Sequence, residues 1–239
     1  MERQREVAKA ILCGAVLALL PLLGAKQFQI GQRNFAPISS GGNLVGVVGG
    51  PLGTNGGTTS AMNMTGADLC VAAVSYFQPG AGIAVSSSPS NTWIPTTAAA
   101  ISGNMGVQLF YAIAPTVNSA MTLTTTGAGT YTSGYLACWK NMPGATLDQQ
   151  SQGVNTGTGT VQPGSVTTTA ADLVITAAAS YSTSIMTVGS PYTSVAANVY
   201  GSVVGLGLGS YTQPSAGATN PTWTTSGTGS VATAVGFTP

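Results

Sequence analysis

Very few residues of this 239-residue chain could take part in acid–base, nucleophilic or metal chemistry. Histidine is absent. Of the six Lys/Arg and five Asp/Glu, seven (Glu2, Arg3, Arg5, Glu6, Lys9, Lys26 and Arg33) lie in the first 33 positions, and only Asp68, Lys140, Asp148 and Asp172 follow. A Ser or Cys nucleophile needs a base beside it and a glycosidase needs two placed carboxylates, and no motif here supplies either. A zinc-type site cannot be built without His from widely separated cysteines. Calcium at Asp68 or Asp172 would need several further oxygen donors, and neither has a second acid nearby in sequence. The expectation is a protein that is not an enzyme, with no catalytic residues, no metal and no cofactor. A net charge of +1 also excludes electrostatic binding to nucleic acid.

The three isolated acids read as structural. Asp68 and Asp172 stand directly before apolar runs, where a carboxylate accepts backbone N–H bonds in a turn. Asp148 lies in a polar stretch and reads as a solvated loop residue. Cys70 and Cys138 could form a disulfide or remain two buried thiols that pack as small hydrophobes.

The remaining functional candidates are uncharged. Exposed aromatic rings beside hydroxyl and amide groups can hold neutral polyols, and the chain has Trp93, Trp139, Trp223 and eight Tyr. Trp139 and Trp223 sit inside strand patterns and read as core. Trp93, in the loop SSSPSNTWIP, is the candidate ligand residue, with Asn91 and Tyr111 as companions.

The elements that would position these residues are strands. Gly, Ser, Thr, Ala and Val dominate, with 33 Gly, and at 44% hydrophobic the chain is too apolar for ordinary disorder. Short runs bounded by Gly, Pro, Asn or Ser predict strands over 43–48, 69–76, 83–86, 106–114, 121–126, 134–139, 161–167, 172–180, 185–188, 200–208, 222–226 and 230–237. No segment after residue 25 has a helical period. Residues 96–101 read as loop or a single turn, and 141–159 as a long crossing loop or boundary. ADLCVAAVSY at 67–76 is echoed by ADLVITAAASY at 171–181, and MTLTTTGAGT at 121–130 by PTWTTSGTGS at 221–230. The expected fold is therefore all-β, an antiparallel jelly-roll-like β-sandwich of two related halves, about 60–142 and 160–239, within one domain at 51–239.

Residues 1–25 have a charged head, an apolar run at 10–23 and a small-residue end at Gly24-Ala25, the layout of a secretory signal peptide. The run of about 14 residues is shorter than the roughly 20 that span a bilayer as a helix. The alternative is a retained hydrophobic anchor, which would touch a membrane only through residues 10–23. Residues 26–50 form an extension or first strand. It either folds back as an edge strand or adds to a neighbour's sheet to build a fibre or pilus-like polymer.

The segments GADLCVAAVSY (66–76), SNTW (90–93), VQLFYAIAPTV (107–117), LDQQSQG (147–153) and ADLVITAAAS (171–180) together resemble a largely uncharacterised jelly-roll or lectin-like β-sandwich domain family of secreted environmental-bacterial and phage-associated proteins. The resemblance spans roughly residues 40–239 and implies a fold and a compartment, with no active site to transfer. The second half lacks counterparts to SNTW and LFY, which places any ligand face in the first half.

The expected function is a non-enzymatic structural or adhesive module, secreted or at the cell surface, or on a virion as a tail or head appendage. Homo-oligomers or polymers and neutral polysaccharides are the expected partners. The glycan reading predicts that Trp93→Ala abolishes retention on a bound neutral polysaccharide. Unchanged binding in affinity electrophoresis would place the site elsewhere.

Overall fold

The computed structural model describes residues 41–77, 82–101, 105–127 and 129–239. Residues 1–25, expected as signal or anchor, and 26–40 of the extension lie outside the described residues. In chain order the first strands are β1 (Asn43–Gly53), β2 (Gly56–Thr58), β3 (Leu69–Phe77), β4 (Ala84–Ser88), β5 (Ile94–Pro95), β6 (Ala99–Ile101), β7 (Met105–Ile113), β8 (Thr122–Thr126) and β9 (Thr130–Lys140). They are followed by β10 (Thr146–Asn155), β11 (Gly159–Val161), β12 (Val166–Thr168), β13 (Asp172–Tyr181), β14 (Thr187–Val188) and β15 (Thr193–Tyr200). The last are β16 (Val204–Gln213), β17 (Gly217–Thr219), β18 (Trp223–Thr225) and β19 (Ser230–Thr238). There is no helix among the described residues, so none is long and apolar enough to cross a membrane.

The described residues are all-β, and every pairing among them is antiparallel. Two large sheets run β1-β9-β3-β7-β5, with β6 also on β7, and β10-β19-β13-β16-β15. Three smaller ones are β2-β8-β4, β11-β18-β14 and the ribbon β12-β17.

Strand parity builds the layers, because successive side chains point to opposite faces. Leu69, Val71 and Ala73 of β3 share a core with Leu173, Ile175, Ala177 and Ala179 of β13, so the two large sheets face each other. Cys70, Ala72, Val74 and Tyr76, the alternate residues of β3, pack in a second core with Leu123 of β8. On the far side, Ala178 and Ala232 pack with Trp223 of β18 in a third. Central strands are thus covered on both faces and read as unbroken apolar runs. Trp139 and Trp223 are both buried, as their strand context predicts. Trp223 Nε1 donates to Thr176 Oγ1 at 3.0 Å, and Gly207 leaves the room its ring occupies, since a Cβ there would overlap it.

Of the two readings of the extension, residues 43–50 take the fold-back one and pair with β9 of their own sheet as the edge strand β1. Other elements depart from expectation. Thr146–Asn155, expected as loop, is the edge strand β10, and Ala99–Ile101 is the short strand β6. β10 is an edge strand, which needs little apolar content because one side stays open, and β6 is only three residues long. The stretch expected as one strand at 200–208 is split by a three-residue connection, 201–203, with Tyr200 opposite Val204. Gly201 (φ 59°) and Ser202 (φ 54°) are both left-handed, and Val203 N donates to Tyr200 O at 3.0 Å, which closes the turn.

Cys70 and Cys138 are directly opposed on β3 and β9 and joined as a disulfide, with Cα atoms 4.1 Å apart and both residues fully buried. It closes a loop with a sequence separation of 68. The chain-entropy argument gives such a loop a stabilisation of about 4 kcal/mol. The double variant Cys70→Ala/Cys138→Ala is expected to unfold in urea with about that loss. An unchanged midpoint would show that the crosslink carries no stability.

Candidate functional site

Trp93 lies in the loop before β5, partly buried against the core that contains Cys70 and Leu123. Its Nε1 donates to Ser87 Oγ at 3.2 Å. The same hydroxyl donates to Pro89 O (2.7 Å) and accepts from Asn91 Nδ2 (3.1 Å). Asn91 also donates to Pro89 O and Thr116 O and accepts from Thr116 N at 2.7 Å. Asn91 is therefore spent in tying two loops together. Tyr111 is not brought to Trp93: it faces the core between the large sheets, edge-on to Phe237 at 5.2 Å between ring centres. Phe110, one residue earlier, occupies the Trp93 side.

A second aromatic cluster, beside a cavity rimmed with hydroxyls, lies elsewhere. At the end of the molecule where β3 and β13 finish, Phe77 lies 6.2 Å from Tyr131 and 5.6 Å from Tyr181, and Tyr131 lies 5.4 Å from Tyr200. This file joins the two large sheets. Tyr181 is 44% exposed and opens onto a cavity of about 210 Å³ lined by Ser182, Thr183, Ser202, Ser226 and Thr228. Ser182 and Ser226 are hydrogen bonded to each other at 3.1 Å. Ligand pockets for drug-sized molecules start near 300 Å³; this one is smaller, with the Tyr181 ring at its mouth and hydroxyls around its rim. Tyr181 and this cavity escape a sequence reading, because the aromatic file is assembled from four strand ends far apart in the chain.

The acids divide. Asp68 behaves as expected and accepts Met142 N at 3.1 Å. Asp172, at the equivalent place in the second ADL segment and the first residue of β13, does not. It is fully buried and neither carboxyl oxygen meets a hydrogen-bond donor among the described residues. Asp148 is not a loop residue either. It stands at the register shift between Leu147 and Gln149, an irregularity of β10 beside β19, and its Oδ2 accepts Thr169 N (2.6 Å) and Thr169 Oγ1 (3.0 Å). Gly236 of β19, opposite both Val174 and Gln149, makes the meeting possible: a Cβ there would lie 2.9 Å from Asp172 Oδ2. Burial first, and then the Asp148 carboxyl within hydrogen-bonding reach, together push the Asp172 carboxyl up to about 6. In an open cleft such a pair could exchange protons with a substrate, but Asp172 is sealed from solvent and touches none.

The folded pKa of Asp172, about 6, lies above its unfolded value of 3.8, so the folded chain holds an extra proton between those limits. The resulting stability is full below pH 4 and is lost as pH rises through 6. With EDTA present, unfolding free energy is expected to fall by up to about 3 kcal/mol between pH 4 and pH 7. Asp172→Asn should flatten that slope in urea titrations, and an unaltered slope would assign it to other carboxyls.

No protein-family model matches the chain, and no curated protein or solved structure matches it at a level that indicates relationship.

Proposed function

We propose that residues 41–239 form a non-enzymatic structural or adhesive module of an extracellular surface or a virion, built as two related jelly-roll-like halves packed back to back. The recurrence of one pairing order carries this reading. β1-β9-β3-β7 with β2-β8-β4 corresponds strand for strand to β10-β19-β13-β16 with β11-β18-β14. Counted within each half, with β5 and β6 taken as one element and the β12-β17 ribbon set aside as an addition to the second half, strands one, eight, three and six form the inner sheet and two, seven and four the outer one, the pairing order of a jelly roll. The fifth element of each half, β5 and β6 or β15, joins the inner sheet beside the sixth. Jelly rolls serve as capsid and lectin domains, which supports the reading by analogy of fold alone. The resemblance to secreted and phage-associated domains points the same way, as does a sequence without His or any Glu beyond Glu6.

Adhesion through neutral glycans is the form of this function that the cavity favours. Tyr181 would stack on the apolar face of a sugar while the hydroxyl rim bonds its edges, and neither contact needs charge. On an array of neutral glycans the full chain is expected to give a defined set of hits that Tyr181→Ala weakens at least tenfold. Because Tyr181 also packs on Phe77, thermal unfolding of the variant is read beside the array, and the variant is expected to stay folded at the assay temperature. Hits that survive Tyr181→Ala would remove the cavity from the reading, and their absence would leave a structural role without glycan adhesion.

A further inference from the structure

We propose that Asp148, Asp172 and Gln213 hold a hard divalent cation of the calcium class. Two of the three residues are nine-tenths buried or more and carry oxygens without a partner. Asp172 Oδ1 and Oδ2 and Gln213 Oε1 are all shielded from solvent and meet no donor among the described residues.

Their placement converges. Asp172 and Gln213 are directly opposed on β13 and β16, so their side chains leave the same face with Cβ atoms about 5 Å apart. Gln213 Nε2 is committed to Gly217 O at 2.9 Å on β17, which fixes the amide beneath the β12-β17 ribbon. Asp172 Oδ2 lies under the same ribbon: a Cβ at Gly236 would sit 2.9 Å from it and 3.4 Å from Thr168 Cγ2 of β12. Asp148 approaches from the β10 irregularity, with one oxygen held by Thr169. Asp148 is only partly buried, which leaves a route from solvent.

The number of orphaned oxygens decides between a proton and an ion. One proton shared by the two carboxyls satisfies one oxygen of Asp172 and leaves its other oxygen and Gln213 Oε1 unpaired, and each orphaned buried acceptor is costly. A divalent ion balances two carboxylates and coordinates all three oxygens. An all-oxygen donor set with irregular geometry suits calcium better than magnesium, which demands a near-ideal octahedron. Backbone carbonyls or water complete such a shell.

Equilibrium dialysis of the EDTA-stripped full chain against calcium at pH 7.5 tests this, read beside thermal unfolding. One ion per chain is expected. At a hundredfold excess over Kd the Tm should rise by about 5–10 °C. Asp172→Asn and Asp148→Asn should each lose the bound ion and the rise, whereas Asp68→Asn keeps both. If either site variant unfolds, the other gives the answer. No bound calcium in the parent chain, or calcium retained by both site variants, overturns the assignment.

Discussion

The seam between the two large sheets is the constraint on which the rest of the molecule depends. Leu69, Val71, Ala73, Leu109 and Ala137 on one side meet Leu173, Ile175, Ala177, Ala179, Leu206 and Val235 on the other, all buried. Each sheet is then covered again on its outer face, so the middle strands have no solvent side on which to place a charge. A Val or Leu fully withdrawn from water stabilises by about 1.5–3 kcal/mol, whereas an unpaired ion there would cost several. Double coverage accounts for the lack of charge along these middle strands. Small residues let the sheets approach, and aromatic contacts join them toward the ends: Tyr111 against Phe237, Phe77 against Tyr181, Tyr131 against Tyr200.

The two large sheets solve the same local problem differently. Cys70 opposite Cys138 fills the outer face of the β1-β9-β3-β7-β5 sheet with a disulfide. At the corresponding pair of the second, Val174 stands opposite Gly236, and the space above the glycine receives the Asp172 carboxyl instead. Asp68 keeps a backbone donor and partial exposure, while Asp172 has neither. Identical ADL triplets thus end in opposite electrostatic settings because of a residue more than sixty positions away.

Legibility in sequence followed burial. β3, β7, β13 and β19 were plain as long apolar runs, since both their faces are covered. β10 and β15 were not, because edge strands with one open side tolerate Gln, Ser, Asn and Thr and look like loop. The hairpin at Gly201-Ser202 carried a turn signal that the surrounding Val and Gly masked. Within the candidate ligand set, Asn91 and Trp93 do meet through Ser87, but alternation along β7 sends Phe110 toward Trp93 and Tyr111 away from it. Asp148 offered no sequence cue at all: its position depends on one irregular residue in β10 and on the missing side chain of Gly236.

If the seam organises the fold, neither sheet should open without the other. Native-state hydrogen exchange across a urea series, resolved by mass spectrometry, measures this most directly. The backbone amides of β3, β7 and β9 and those of β13, β16 and β19 should exchange with one common free energy and one common denaturant dependence. Exchange of one sheet at a distinctly lower free energy, with the other still protected, would show two independently stable sheets and contradict the account.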